Sequence, residues 1–253
     1  MDKKEFIDIN KKGWNDLIKN GKPFSNTILP EYGPFLKRNE DDMNIMDSIK
    51  GARVLDIGCG SGESLGYLLN KGASEIWGID ISEEQIEKAK ERFPQYKEHF
   101  IVSPMEELAN IPQDYFDYIV SIFSIGYTSD IQSTFKNAYK YLKQDGSLII
   151  SWTHPFYYSL DMDGDKVIVS KSYFDESSEI ITKGPDKINL AQHNLMISTL
   201  VNEASNANFY VDKMYEEETE VVDYGDGYVS PFWRKEKTRN VPSTIILKLK
   251  KKN

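Results

Sequence analysis

A chain of 253 residues suits one α/β domain with additional segments, and 40% hydrophobic with 28% charged residues mark it as globular. The lone cysteine, Cys59, excludes an intramolecular disulfide or a multi-cysteine zinc site, and no other metal cluster is visible. A net charge of −9 argues against nucleic acid as a partner, and no stretch approaches the roughly 20 apolar residues that span a bilayer. The opening MDKKEFIDINKKGW lacks a signal-peptide core, so the expected location is cytoplasmic, as a monomer or homodimer without membrane attachment.

Phe6, Ile7, Trp14, Leu17 and Ile18 fall at helical spacing and predict a helix over 3–20, ended by Gly21. A second helix is expected near 41–49, with Met43, Met46 and Ile49 on one side. A short apolar strand over 52–57 precedes a helix over 63–70, which Lys71-Gly72 stops. The second strand, 75–79, leads to Asp80, and Ser82 with Gln85 forms a capping box for a helix ending at Pro94. Strands follow at 99–102 and 116–123, then a helix over 131–142 with Asp130 as its cap, then a strand over 147–152.

The rhythm changes over 153–190, which is rich in Tyr, Ser and Asp and carries β-like runs at 167–169 and 179–182. It reads as an inserted lid. A helix over 191–206, a strand over 209–216, a Gly/Tyr-rich loop and a last strand over 244–250 complete the chain. The basic run Lys248, Lys250, Lys251, Lys252 reads as the solvated end of that strand. Alternating strands and helices imply a mainly parallel sheet covered on both faces. A single domain is expected, divided into an N-terminal helical segment 1–50, a cofactor-binding core 51–152, the lid 153–190 and a C-terminal part of the sheet 191–253.

The most informative stretch is Val54-Leu55-Asp56-Ile57-Gly58-Cys59-Gly60-Ser61-Gly62-Glu63. Three alternating glycines between strand and helix let a ligand approach the backbone closely. A dinucleotide fingerprint would place its third glycine at Glu63, and acids at Asp56 and Glu63 would repel a pyrophosphate. They suit a ligand carrying an ammonium and a sulfonium. Asp80, 22 residues beyond Gly58, is spaced to meet ribose hydroxyls. Cys59 reads as a small buried filler.

The run V-L-D-I-G-C-G-S-G resembles the first motif of class I S-adenosylmethionine-dependent methyltransferases, small-molecule (methyltransferase type 11-like) branch. Gly78-Ile79-Asp80-Ile81-Ser82 is similar to the family's ribose-binding segment, Ser103-Pro104-Met105-Glu106 to its third motif beside the adenine, and Phe116–Ser121 to its fourth strand. Pro104 stands where many members carry an acid, leaving Glu106 or backbone groups for the adenine amino group. The resemblance implies a Rossmann-like seven-stranded, mostly parallel sheet with a reversed last strand and a lid after strand five. It implies S-adenosylmethionine as cofactor and cofactor contacts from Asp56, Gly58, Cys59, Gly60, Gly62, Asp80, Ile81, Met105, Glu106 and Ser121, with Tyr32 reaching in from the N-terminal segment.

His154, in His154-Pro155-Phe156, and His193 match histidines of that branch and are candidate proton acceptors; hydrogen bonding to the lid or helix capping are their alternative roles. Tyr157, Tyr158, Tyr224, Tyr228, Phe232 and Trp233 could wall an acceptor site or simply pack the lid. The function expected is methyl transfer to a small-molecule acceptor by in-line displacement. A non-catalytic binding module and an NAD-dependent oxidoreductase are the alternatives.

Overall fold

The computed structural model describes residues 1–21, 27–183, 186–220, 231–233 and 235–252. Helix α1 (Lys3–Lys19) opens on Asp2, whose side chain accepts from the Glu5 amide, and buries Phe6, Asn10, Gly13 and Leu17. The helix expected near 41–49 is shorter: α2 (Glu40–Met43) ends at Asn44, which takes φ 47°. Glu40 explains the stop. Its carboxylate accepts from the amides of Ile45 and Met46 at 3.0 and 2.8 Å, so these donors need no helical carbonyl.

Strands and helices then alternate as β1 (Arg53–Ile57), α3 (Glu63–Asn70), β2 (Glu75–Asp80), α4 (Glu83–Arg92), β3 (Phe100–Val102) and β4 (Phe116–Ile122). Helix α5 (Ile131–Tyr141) runs straight into β5 (Leu142–Thr153), so the strand expected over 147–152 begins five residues earlier. The pairing of β5 with β4 shifts register between Phe116 and Tyr118, and this irregularity absorbs the extra residues. Beyond β5 come α6 (Pro155–Tyr158) and two antiparallel hairpins outside the main sheet. One joins β6 (Leu160–Asp163) to β7 (Lys166–Val169), the other β8 (Glu179–Lys183) to β9 (Ile188–Gln192).

Residues 191–206 are therefore not one helix. Ala191 and Gln192 finish β9, and α7 (Ile197–Asn206) starts later. The side-chain amide of Asn10 holds β9 in place, donating to the Ala191 carbonyl at 2.9 Å and accepting from its amide at 2.8 Å. Gly13 lets α1 approach this strand, since a Cβ there would lie 2.3 Å from the Asn189 oxygen. The chain continues through β10 (Phe209–Tyr215), α8 (Lys235–Thr238) and β11 (Thr244–Lys251).

The main sheet has seven strands in the order β10-β11-β5-β4-β1-β2-β3. Strand β11 runs antiparallel to both neighbours, and the pairs among β5, β4, β1, β2 and β3 are parallel. Leu55, Ile57, Phe116 and Phe135 pack on one face, and Val54, Leu65, Ile76 and Ile86 on the other. The basic run at the end of β11 is a solvated strand end only in part: Lys252 is exposed and Lys250 half-buried. Lys248 is buried and paired with Asp47 at 2.7 Å, and Lys251 is buried, paired with Asp114 at 3.0 Å and seated over the Tyr139 ring. Among the described residues no helix is long and apolar enough to cross a membrane. Strand order reverses between β1 and β4, the position at which open α/β sheets form a crevice beyond their carboxyl ends.

Gly126, just beyond β4, has no room for a side chain, because a Cβ would lie 2.1 Å from the Trp152 ring. Gly126→Ala should therefore destabilise the fold by about 1–3 kcal/mol through displaced packing, measured as a lowered midpoint in urea unfolding.

Candidate functional site

An open cleft of about 1020 Å³, solvent at its mouth included, lies at that crevice. Its floor is the turn from β1 to α3, and α1 contributes Asn10, Trp14 and Ile18 to its lining. The turn is anchored to β2. The amides of Gly58 and Cys59 donate to the Ile79 carbonyl at 2.8 and 3.0 Å, and the Gly60 amide donates to Asp80 Oδ2 at 2.9 Å. Asp80 Oδ1 accepts from the Ser82 amide at 2.9 Å. The expected capping box is thus half made. Ser82 Oγ accepts from the Gln85 amide, but Asp80 takes the reciprocal position, and Gln85 instead accepts from Ser61 Oγ.

The three glycines do different work. Gly60, at φ 54°, is the one whose missing Cβ would meet nothing closer than 3.8 Å, leaving the backbone open on the cleft side. Gly58 makes room for Ser124, whose Cβ would be 2.5 Å away, and Gly62 makes room for the Phe93 ring at 2.9 Å. Gly62 is accordingly not part of the cleft lining, although Asp56, Gly58, Cys59, Gly60, Asp80, Ile81, Met105 and Glu106 are. The Cys59 sulfur packs where a Gly78 Cβ would be, and its thiol is pushed well up, first by burial and then by Asp80, Asp56 and Glu63. It is a filler with no nucleophilic character.

Asp56 is buried, and its Oδ1 has no hydrogen-bond partner among the described residues. Burial raises its carboxyl well above the usual range, and the charges of Asp80 and Glu63 add to the effect. Asp80 is raised to about 6 by desolvation, against the opposing hydrogen bonds from Ser82, Gly60 and Ile81. The carboxylates in the lining are Asp56, Glu63, Asp80 and Glu106, and no Lys or Arg stands among the described lining residues. Glu106 also has a structural task, accepting from the Ser129 amide and hydroxyl and from Thr128 Oγ1.

Besides Gly62, four sequence-derived candidates lie outside the lining. Tyr32 is fully buried and donates to Glu40 Oε2 at 2.8 Å, so its hydroxyl is held inside the N-terminal segment. Ser121 is buried in β4 with its hydroxyl 2.5 Å from that of Ser124, which does line the cleft and donates to the Ile57 carbonyl. His154 caps α6: Nδ1 accepts from the Phe156 amide at 3.2 Å, which leaves Nε2 protonated and donating to Glu216 at 2.8 Å. Both ring nitrogens are thereby occupied, and burial lowers the pKa of the ring. His193 does not open a helix; it lies between β9 and α7, stacked on Phe6 with centroids 4.9 Å apart.

Of the expected aromatic wall, Tyr224 and Tyr228 lie outside the described residues, and Tyr157 is buried, donating to the Phe232 carbonyl at 2.5 Å. Sequence reasoning missed Trp14, Ser124, Phe123 and Tyr127 as lining residues. Trp14 and Ile18 carried a signal at i, i+4 on α1, but it was indistinguishable from core periodicity.

Residues 55–150 match the methyltransferase domain family. This part of the chain is a methyltransferase domain. The malonyl-[acyl-carrier protein] O-methyltransferase of Acetivibrio thermocellus is 31% identical over 143 residues, covering 56% of this chain and 46% of that protein. The chain thus aligns with about half the length of the curated relatives it matches first. Among solved structures, an S-adenosylmethionine-dependent methyltransferase of Mesorhizobium loti superposes with TM-score 0.65 at 20% identity, covering 81% of this chain and 94% of that one. The Burkholderia thailandensis 1,6-didemethyltoxoflavin-N1-methyltransferase, with 1,6-didemethyltoxoflavin and S-adenosylhomocysteine bound, superposes over 100% of this chain and 92% of its own, with TM-score 0.60 at 13% identity.

His154, just beyond the matched residues, is fully paired. His154→Ala should lower stability by about 1–3 kcal/mol, since the Phe156 amide and Glu216 lose their partner, in a chemical denaturation series. Affinity for S-adenosylmethionine should stay within roughly twofold of wild type, as expected for independent sites.

Proposed function

We propose that this protein transfers the methyl group of S-adenosylmethionine to a small-molecule acceptor, and that the whole chain serves this one reaction. The observation that carries the reading is the buried, unpartnered Asp56 Oδ1 at the cleft floor. A buried acceptor without a donor costs about 1–3 kcal/mol, more if charged, and an ammonium from the ligand would satisfy it. A pyrophosphate would instead add negative charge to four carboxylates, which disfavours a nicotinamide dinucleotide.

In this reading Asp56 takes the amino group, Asp80 meets the ribose hydroxyls, the Gly58–Gly60 turn supports the ligand, and Ile81 with Ser103–Met105 flanks the adenine. When bound, the cofactor supplies a methyl group already activated by a positively charged sulfur. The chain's part is then to align the acceptor and exclude water. Helix α1 lines the cleft and is fastened to β9, which supports a covering role for α1 and the β8–β9 hairpin, the lid of this proposal. With both nitrogens of His154 occupied and neither His154 nor His193 in the lining, the geometry supports alignment more than side-chain base catalysis. The small acceptor is supported by the small molecule bound to the Burkholderia relative.

Calorimetric titration tests this directly. S-adenosylmethionine and S-adenosylhomocysteine should bind in the micromolar range while NAD does not; binding of NAD alone would overturn the reading. Because the Asp80 pKa is raised to about 6, the ligand-free protein below that pH holds a proton there that binding must release. Affinity should therefore rise as pH increases through about 6, with proton release seen as a buffer-dependent heat, and the raised Asp56 carboxyl adds to the rise. Asp80→Asn should weaken binding by roughly tenfold or more, about 1.4 kcal/mol, and flatten that pH dependence.

A further inference from the structure

Two phenylalanines far apart in sequence share an unusual backbone. Phe35 has φ 61° and Phe123 has φ 51°, in the left-handed region that bulky side chains rarely adopt. Both are pinned there. The Phe123 amide donates to the Ser151 carbonyl at 3.0 Å, and the Phe35 carbonyl accepts from the Glu220 amide at 2.8 Å beside the Leu36–Thr219 bridge. Both rings then converge on one indole: Trp233 lies 6.4 Å from Phe35 and 6.5 Å from Phe123, centroid to centroid, and stacks on buried Tyr157 at 5.5 Å. Three segments of the chain therefore build an aromatic box whose Phe123 wall is also a wall of the cleft.

Backbone strain of about 1–3 kcal/mol persists where surrounding structure enforces it, and functional sites are where it clusters. Phe35, Phe123 and Trp233 are all half-buried, so their rings keep accessible surface. The same cleft presents four carboxylates and, among the described lining residues, no Lys or Arg. Aromatic faces attract flat apolar rings and cations, and a carboxylate-lined cleft repels anions.

We propose that Phe35, Phe123 and Trp233 form the methyl-acceptor subsite, and that it takes a planar aromatic or heteroaromatic molecule bearing no negative charge. This rests on the methyltransferase reading above and names its substrate class. Phe123 is the specificity-determining residue, because it joins the box to the cofactor cleft.

The test uses the full chain loaded with S-adenosylhomocysteine and a matched set of probes, 2-naphthol, quinoline, 2-naphthoate and decalin, followed by ligand-observed NMR. Naphthol and quinoline should bind in the millimolar range or better, with 2-naphthoate and decalin each at least roughly tenfold weaker. Trp233→Ala, outside the described cleft lining, should lose naphthol and quinoline binding while keeping that of S-adenosylhomocysteine. Phe123→Gly should lose the same probes. Equal binding of 2-naphthoate or of decalin, unchanged probe binding in both variants, or no aromatic binding to the loaded wild type would each overturn the proposal. Failure of S-adenosylhomocysteine itself to bind is a separate result and would remove the cofactor reading on which the subsite depends.

Discussion

One carboxylate holds the cofactor end of this molecule together. Asp80, at the tip of β2, accepts from the Gly60 amide with one oxygen and from the Ser82 amide with the other. It thereby ties the glycine turn after β1 to the start of α4. The arrangement is possible because β1 and β2 are parallel neighbours in register, with Ile57 opposite Ile79, so that both strands end at the same height. The cleft shape follows from that alignment. So does its charge, since the acids at the two strand ends face a common space and Asp80 adds to the rise in proton affinity that burial gives Asp56.

The alternation of strand and helix over residues 52–142 was readable because each strand there is a short apolar run bounded by glycines, acids or prolines, and each helix has its own start signal. α3 begins and ends where the glycines and Lys71 indicate, and α5 is capped by Asp130 as its sequence suggests. Misreadings arose where a side-chain hydrogen bond decides the backbone. Glu40 terminates α2 by capturing two amides just beyond it, and Asn10, far away in sequence, pairs with a strand whose residues suit a helix by composition. Neither bond is written in the spacing of apolar residues, so periodicity could not show it.

The site divides along the same line. Asp56, Gly60, Asp80 and Met105 belong to contiguous motifs, and their position in the cleft follows from strand ends. Phe123, Trp14 and Tyr127 reach it through tertiary packing, and the two histidines that looked reactive are held by their neighbours. A histidine after a strand end is the same in sequence whether its ring nitrogens are free or occupied; only the positions of the Phe156 amide and Glu216 distinguish the two. Gly62 illustrates the converse. Its place in a cofactor motif suggested ligand contact, while its missing side chain in fact accommodates Phe93.

The position of β11 in the sheet has a consequence for the order in which the chain can assemble. Strand β5 spans 12 residues and is buried on its inner side by β4, yet its other neighbour is the last strand of the chain, and β10 joins the sheet only through that same strand. During synthesis β5 therefore presents an unpaired edge of apolar residues, Leu148 to Trp152, for as long as the intervening segments take to appear. Such an edge is a template for another chain as readily as for its own. Closing it requires a contact between residues widely separated in sequence, which is slow. The final join in this sheet is made in its interior, so nascent or destabilised copies would meet one another first along β5.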